Sequence, residues 1–180
     1  QDMILGSYYL TMEKPGEPGE GRVFRNMDEA MMAYANHQLG LHAPIKVRVT
    51  RNVEETDAEG NTVVVARTRL IDKNVTLGRL IFNRAIPQDL GYVDRNDPDH
   101  AFDHEIGFQV GKKQLGDIIN RCIQKYGFTI SAEVLDSLKS LGYKYSTRGA
   151  ITISVADMTV PSEKYELISA TEKEGVKIER

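Results

Sequence analysis

The stretch Thr76–Pro87, TLGRLIFNRAIP, decides how the chain divides. Leu77, Leu80, Ile81 and Ala85 fall at i, i+3, i+4 and i+8, the spacing of one helical face. Thr76 can cap the first turn with its hydroxyl, and Pro87 lacks the N–H needed to continue. Gly78 inside that turn costs about 1 kcal/mol against alanine, so a close backbone approach is expected there. Arg79 and Arg84 lie off the stripe and are expected to reach solvent or a partner. A β-rich third precedes this short helix; an acidic loop and further amphipathic helices come after it.

Immediately upstream, Ile45, Val47, Val49 and Val53 alternate with Lys46, Arg48, Thr50 and Asn52, a period-two strand with one wet face. Residues 62–71 are β-branched and mirror it across the turn-forming stretch 57–61, which predicts an antiparallel hairpin. Lys46, Arg48 and Arg51 are expected to make its outer face basic. Further back, Asn26 is placed to cap a helix with Met27, Ala30, Met31 and Tyr34 inside and Gly40 as its stop. Residues 13–22, EKPGEPGEGR, read as a polar loop, and Asp2 as the cap of an opening helix running to about Thr11.

Downstream of Pro87 the chain is rich in aspartate and poorly periodic. Asp94, Asn96 and Glu105 occupy positions 1, 3 and 12 of a calcium loop, but Pro98 takes a ligand position and Asp99 replaces the turn glycine. His100 and His104 at i, i+4 could share a metal on a helix, yet no glutamate base lies between them. An acidic surface loop without metal is the favoured reading. Leu115, Ile118, Ile119, Cys122 and Tyr126 then form a helical stripe ending at Gly127, with Cys122 expected as an inert packed thiol. Ser131 is expected to cap a further helix with Val134, Leu135, Leu138 and Leu141 inside and Gly142 as its end. Ile151, Ile153 and Val155 predict a strand closing the sheet, and Pro161 opens a charged terminal helix.

The chain has 180 residues, long enough to bury a core without staples. Hydrophobic content of 41% and charge of 27% are those of an ordinary globular chain, and the net charge of −3 argues against a stand-alone nucleic-acid binder. A single cysteine excludes an internal disulfide and fits a reducing cytoplasm. No apolar run is long enough to span a bilayer. Opening on Gln1 and closing on the polar IER, the sequence is expected to be a piece of a longer polypeptide. No catalytic carboxylate pair, nucleophile triad or redox cysteine pair emerges from spacing. The expectation is a single-domain α+β fragment of mixed, mainly antiparallel strands and packed amphipathic helices.

Six segments taken together resemble one family: QDMILGSYYLT (1–11), GEGRVF (19–24), LGLHAPIKVRVT (39–50), TLGRLIFNRAIP (76–87), VGKKQLGDIINRC (110–122) and GYKYSTRGAITISVADM (142–158). In order and spacing they are similar to the bacterial DNA-directed RNA polymerase β′ subunit family. The resemblance implies that residues 1–160 form the pore domain, lining the secondary channel that admits nucleotides and receives the backtracked RNA 3′ end. It implies that residues 161–180 begin the rim helices, where transcript-cleavage factors dock. It further implies assembly with the beta, alpha and omega subunits, and DNA and RNA as partners of the whole enzyme. The family's magnesium motif, NADFDGD, and its cysteine zinc sites are absent here, so this segment is expected to bring no catalytic residue and no cofactor, magnesium and zinc being held elsewhere in the subunit. Gln1, Asp2, Thr147, Arg148 and Asp157 are the candidates for residues near nucleotide or RNA. Where some members hold an alarmone with lysine and tyrosine, this chain has Thr129 and Ser140. The alternative is an independent binding module working through Lys46, Arg48 and Arg51.

Overall fold

The computed structural model describes residues 1–152. Over Gln1–Arg148, one compact unit, helices pack with a three-stranded mixed sheet, in agreement with the α+β expectation. The elements are α1 (Asp2–Leu10), β1 (Val23–Phe24), α2 (Met27–Ala35), β2 (Lys46–Thr56), β3 (Thr62–Ile71), α3 (Leu77–Arg84) and α4 (Lys112–Thr152). Strand β2 is central. It pairs antiparallel with β3 from Val47↔Ile71 to Thr56↔Thr62, and parallel with β1 at Val23↔Lys46 and Phe24↔Val47 only. The hairpin is therefore as the alternation predicts. Strand β1 is too short to leave a periodic signal.

Helix α3 is the pin the sequence suggests. Thr76 Oγ1 accepts the Arg79 amide at 3.1 Å, closing the first turn. A Cβ on Gly78 would lie 1.9 Å from the Leu10 carbonyl oxygen, so α1 and α3 meet where only glycine fits. The same device joins α1 to α4: a Cβ on Gly6 would lie 1.9 Å from the Gly142 carbonyl oxygen. Gly142 is thus a packing contact inside α4, not the expected helix end. Leu10, Phe24, Ile45, Leu77, Phe82, Ile106, Ile118 and Leu138 form the fully buried centre of the core.

Several local expectations are corrected. Gln1, not Asp2, holds the N-cap position of α1, and Asp2 lies in its first turn. Asn26 does cap α2, accepting the Glu29 amide at 2.9 Å, but α2 ends at Ala35 rather than at Gly40. His37 takes the left-handed φ of 57° that breaks the path. Gly127, at φ 76°, interrupts α4 as its residue type predicts. Ser131 does not cap the second half of α4; its hydroxyl donates back to the Gly127 carbonyl at 2.7 Å. Ile151 and Thr152 are helical, so the expected strand does not begin there; Ile153, Val155 and the helix from Pro161 lie outside the described residues. No described helix is long and apolar enough to cross a membrane.

Candidate functional site

Arg79, expected at the surface, is instead buried at 6% exposure. The burial is tolerated because its donors are used: Nε donates to the Thr11 carbonyl at 3.0 Å and Nη1 to Glu13 Oε2 at 2.8 Å. Thr11 Oγ1 in turn donates to the Ser7 carbonyl and accepts the Val110 amide at 2.8 Å. On the other flank of α3, Asn83 Nδ2 donates to the Arg79 and Ile106 carbonyls, and its Oδ1 accepts the Ile106 amide at 2.9 Å. Gln88 extends this network, donating to the Asn83 carbonyl and accepting the Glu105 amide. Sequence reasoning missed Asn83 and Gln88 and weighed Glu105 only as a calcium ligand, because an isolated polar residue, in a helix or in a loop, leaves no periodic signal of its distant partners.

The acidic loop is built from internal bonds. Asp94 Oδ1 accepts the Asn96 amide and Asp97 Oδ1 the Asp99 amide, each at 2.9 Å, as in Asx turns. Glu105 points inward instead, accepting the Tyr92 amide at 2.8 Å and the Arg95 guanidinium at 3.2 Å. The two histidines diverge. His100 pairs with Asp103 at 2.8 Å in the open, which raises its pKa. His104 is mostly buried, and desolvation with Arg51 and Arg95 nearby pushes its pKa down to about 4. Among the described residues no three His, Cys, Asp or Glu side chains are grouped to hold a metal. Cys122 is fully buried on the apolar stripe and burial pushes its thiol up, away from reactivity.

The hairpin does not carry one basic face. In a two-residue period Lys46 and Arg48 share one face while Arg51 lies on the other, half-buried and donating to the Asp103 carbonyl at 3.3 Å. Arg69, on the same face as Arg51, donates to the Pro98 carbonyl and stacks over Phe102 at 5.2 Å. The acidic loop therefore clamps that face, and the expected three-residue basic patch does not form.

Of the candidates near nucleotide or RNA, Gln1 and Asp2 are exposed at the start of α1, and Thr147 and Arg148 are exposed on α4. Thr147 Oγ1 donates to the Tyr143 carbonyl at 3.1 Å. Arg148 donates to Tyr34 Oη at 3.3 Å and lies over the Tyr145 ring at 5.3 Å, tying α4 to α2. Helices α1 and α4 touch through Gly6, Met3 and Gly142, so the two candidate pairs sit on helices in contact. Asp157 lies outside the described residues.

The profile of the family described as RNA polymerase Rpb1, domain 3, matches residues 1–158. Similar chains are the DNA-directed RNA polymerase subunit beta′ of Acetivibrio thermocellus, 53% identical over 99% of this chain, and that of Clostridium novyi, 51% identical over all of it. The same subunit of Lachnoclostridium phytofermentans is 51% identical over 97%. This chain spans only 14%, 14% and 13% of the length of those relatives, respectively. A family match that spans residues 1–158, covering α1, the hairpin, α3 and α4, together with about half identity to beta′ subunits, leaves one conclusion: the chain belongs to the RNA polymerase Rpb1 domain 3 family and is strongly similar to one stretch of the bacterial beta′ subunit.

Proposed function

We propose that the chain is an internal segment of an RNA polymerase beta′ subunit, with residues 1–160 forming a wall of the secondary channel and 161–180 opening the rim helices. The observation that carries this reading is the family match over residues 1–158 together with about half identity to named beta′ subunits. On this reading the segment does no chemistry itself. Phosphoryl transfer depends on positioning and on charge stabilisation at a metal site, and the magnesium and zinc sites of the subunit lie outside these residues. The contribution of the segment is rigidity. Arg79, Thr11, Asn83 and Gln88 lock α1, α3 and the loop around Ile106 into one frame. Gln1, Asp2, Thr147, Arg148 and Asp157 are the residues proposed to face nucleotide or the RNA 3′ end. The beta, alpha and omega subunits, DNA and RNA, and cleavage factors at the rim are the proposed partners in the cytoplasm.

A photo-reactive thiouridine at the 3′ end of a backtracked transcript tests the channel assignment. The expected result is cross-linking to the peptide of α1 or to residues 147–157 in the assembled enzyme. Cross-links confined to other parts of the polymerase would overturn it.

A further inference from the structure

Strand β1 accompanies β2 for two residues and then turns into α2. The Lys46 amide donates to the Arg22 carbonyl at 2.9 Å on that side. By the two-residue alternation, the Arg48 carbonyl and the main-chain N–H and C=O groups of Thr50 and Asn52 face the same edge, the Arg48 N–H being taken up by the Phe24↔Val47 pairing. Among the described residues no strand lies opposite them. An open edge of this kind is a template for main-chain pairing.

The edge opens into a cleft of about 380 Å³ between β2, α2 and α3. Its apolar floor includes Val47, Val49, Leu80 and Met27, and Arg48 and Arg84 stand on its walls. Both arginines are exposed, and neither has a carboxylate within ion-pair distance among the described residues. Arg67, Arg79, Arg95 and Arg121 by contrast are all paired, with Glu55, Glu13, Glu105 and Asp117. Asp28 is the one acid of the lining, and His104 on the wall is neutral at physiological pH. The nearby start of α2 adds no free anion site, since Asn26 and Glu29 satisfy the Glu29 and Arg25 amides.

We propose that this cleft docks an extended, acidic segment of a protein partner, which adds a strand to the free edge of β2 beside β1. Its carboxylates meet Arg48 and Arg84, and its alternate apolar side chains rest on Val47, Val49 and Leu80. An inorganic anion would leave the apolar floor and the unpaired main chain unused, and a basic segment would face two uncompensated guanidinium groups. Strand addition supplies affinity through the main chain while the cleft supplies selectivity. The proposal is independent of the channel assignment, because it needs only this edge and these two arginines.

The test uses the peptide EVDVEV-amide carrying fluorescein on its N-terminal amine against the chain, with KVKVKV-amide labelled in the same place as the charge-reversed control. Anisotropy should report saturable binding of the acidic peptide, weakened at least about tenfold by Arg48→Glu and by Arg84→Glu. Both arginines are exposed, and an unchanged melting temperature would show that the variants remain folded. Hydrogen exchange should slow at the Thr50 and Asn52 amides on saturation and stay unchanged at Val49, whose main chain already pairs with Arg69. No saturable binding of the acidic peptide, equal binding of the basic one, insensitivity to both arginine variants, or unchanged exchange at Thr50 and Asn52 would each overturn the proposal.

Discussion

In α3 every residue from Leu77 to Asn83 is buried, whereas along the hairpin only Val47 and Ile71 are. The two regions adjoin in sequence and serve opposite ends. Helix α3 brings a charged arginine and an asparagine into the interior and satisfies them with Thr11, Glu13 and Ile106. The hairpin keeps Thr50, Asn52, Val64 and Leu70 outside and bonds Thr50 to Thr68 across its open face at 2.7 Å. A two-stranded ribbon is marginal alone, and here the acidic loop supports one face through Arg51, Arg69 and Phe102. The difference teaches that the interior frame fixes shape, while the ribbon keeps surface for contact.

Substitutions in the two regions should separate sharply. Gly78→Val drives a side chain into the Leu10 carbonyl and should cost about 3 kcal/mol or more. Urea unfolding would register this as a lower midpoint at unchanged slope. Arg79→Ala leaves the Thr11 carbonyl and the Glu13 carboxylate without their donor. Because the Glu13 side chain is 37% exposed, solvent softens the loss to about 2 kcal/mol. If either change cost no more than a hairpin surface change, the contrast between frame and ribbon would fail.

A pH titration sharpens the same contrast, because His104 lies between ribbon and frame. Folded His104 takes up its proton only near pH 4, against an ordinary value of 6.5. As pH falls the unfolded chain therefore protonates first. The His104 contribution is full above about pH 6.5 and is lost progressively towards pH 4, by about 3 kcal/mol. His42, lowered mainly by burial, acts in the same direction. His104→Gln should flatten the slope of stability between about pH 6.5 and 4.5, leaving the part due to His42 and the opposing part due to His100, which its pairing with Asp103 stabilises at low pH. An unchanged slope would remove His104 from the account. The smallest effect belongs to the ribbon: Val64→Thr, on the open face, should stay within about 0.5 kcal/mol in the same urea assay.

Thr76 as a cap, Gly78 as a close approach and the paired strands are legible because each leaves a local or periodic signature. The burial of Arg79 is not. Its position off the apolar stripe is what a solvent-facing arginine also shows, and only the distant Thr11 and Glu13 distinguish the two. Grouping Arg51 with Lys46 and Arg48 puts it on the wrong face, because nearness in sequence hides the period of two. Gly40 and Gly142 read as helix ends for the same kind of reason. Glycine serves both chain reversal and close packing, and only the partner backbone, Met3 and Gly6 in the case of Gly142, decides which. Of the candidate site, the sequence marks Arg84 as reaching outward, but the cleft it shares with Arg48 is visible only once the register of β1 and β2 is known.

The most direct measurement is reconstitution. A beta′ subunit would be split at both ends of this segment, the 180-residue chain supplied in trans, and templated RNA synthesis assayed after assembly. The account predicts that synthesis returns with the chain and is reduced with the Gly78→Val variant. A folded chain that fails to join the assembly and leaves synthesis absent would contradict it.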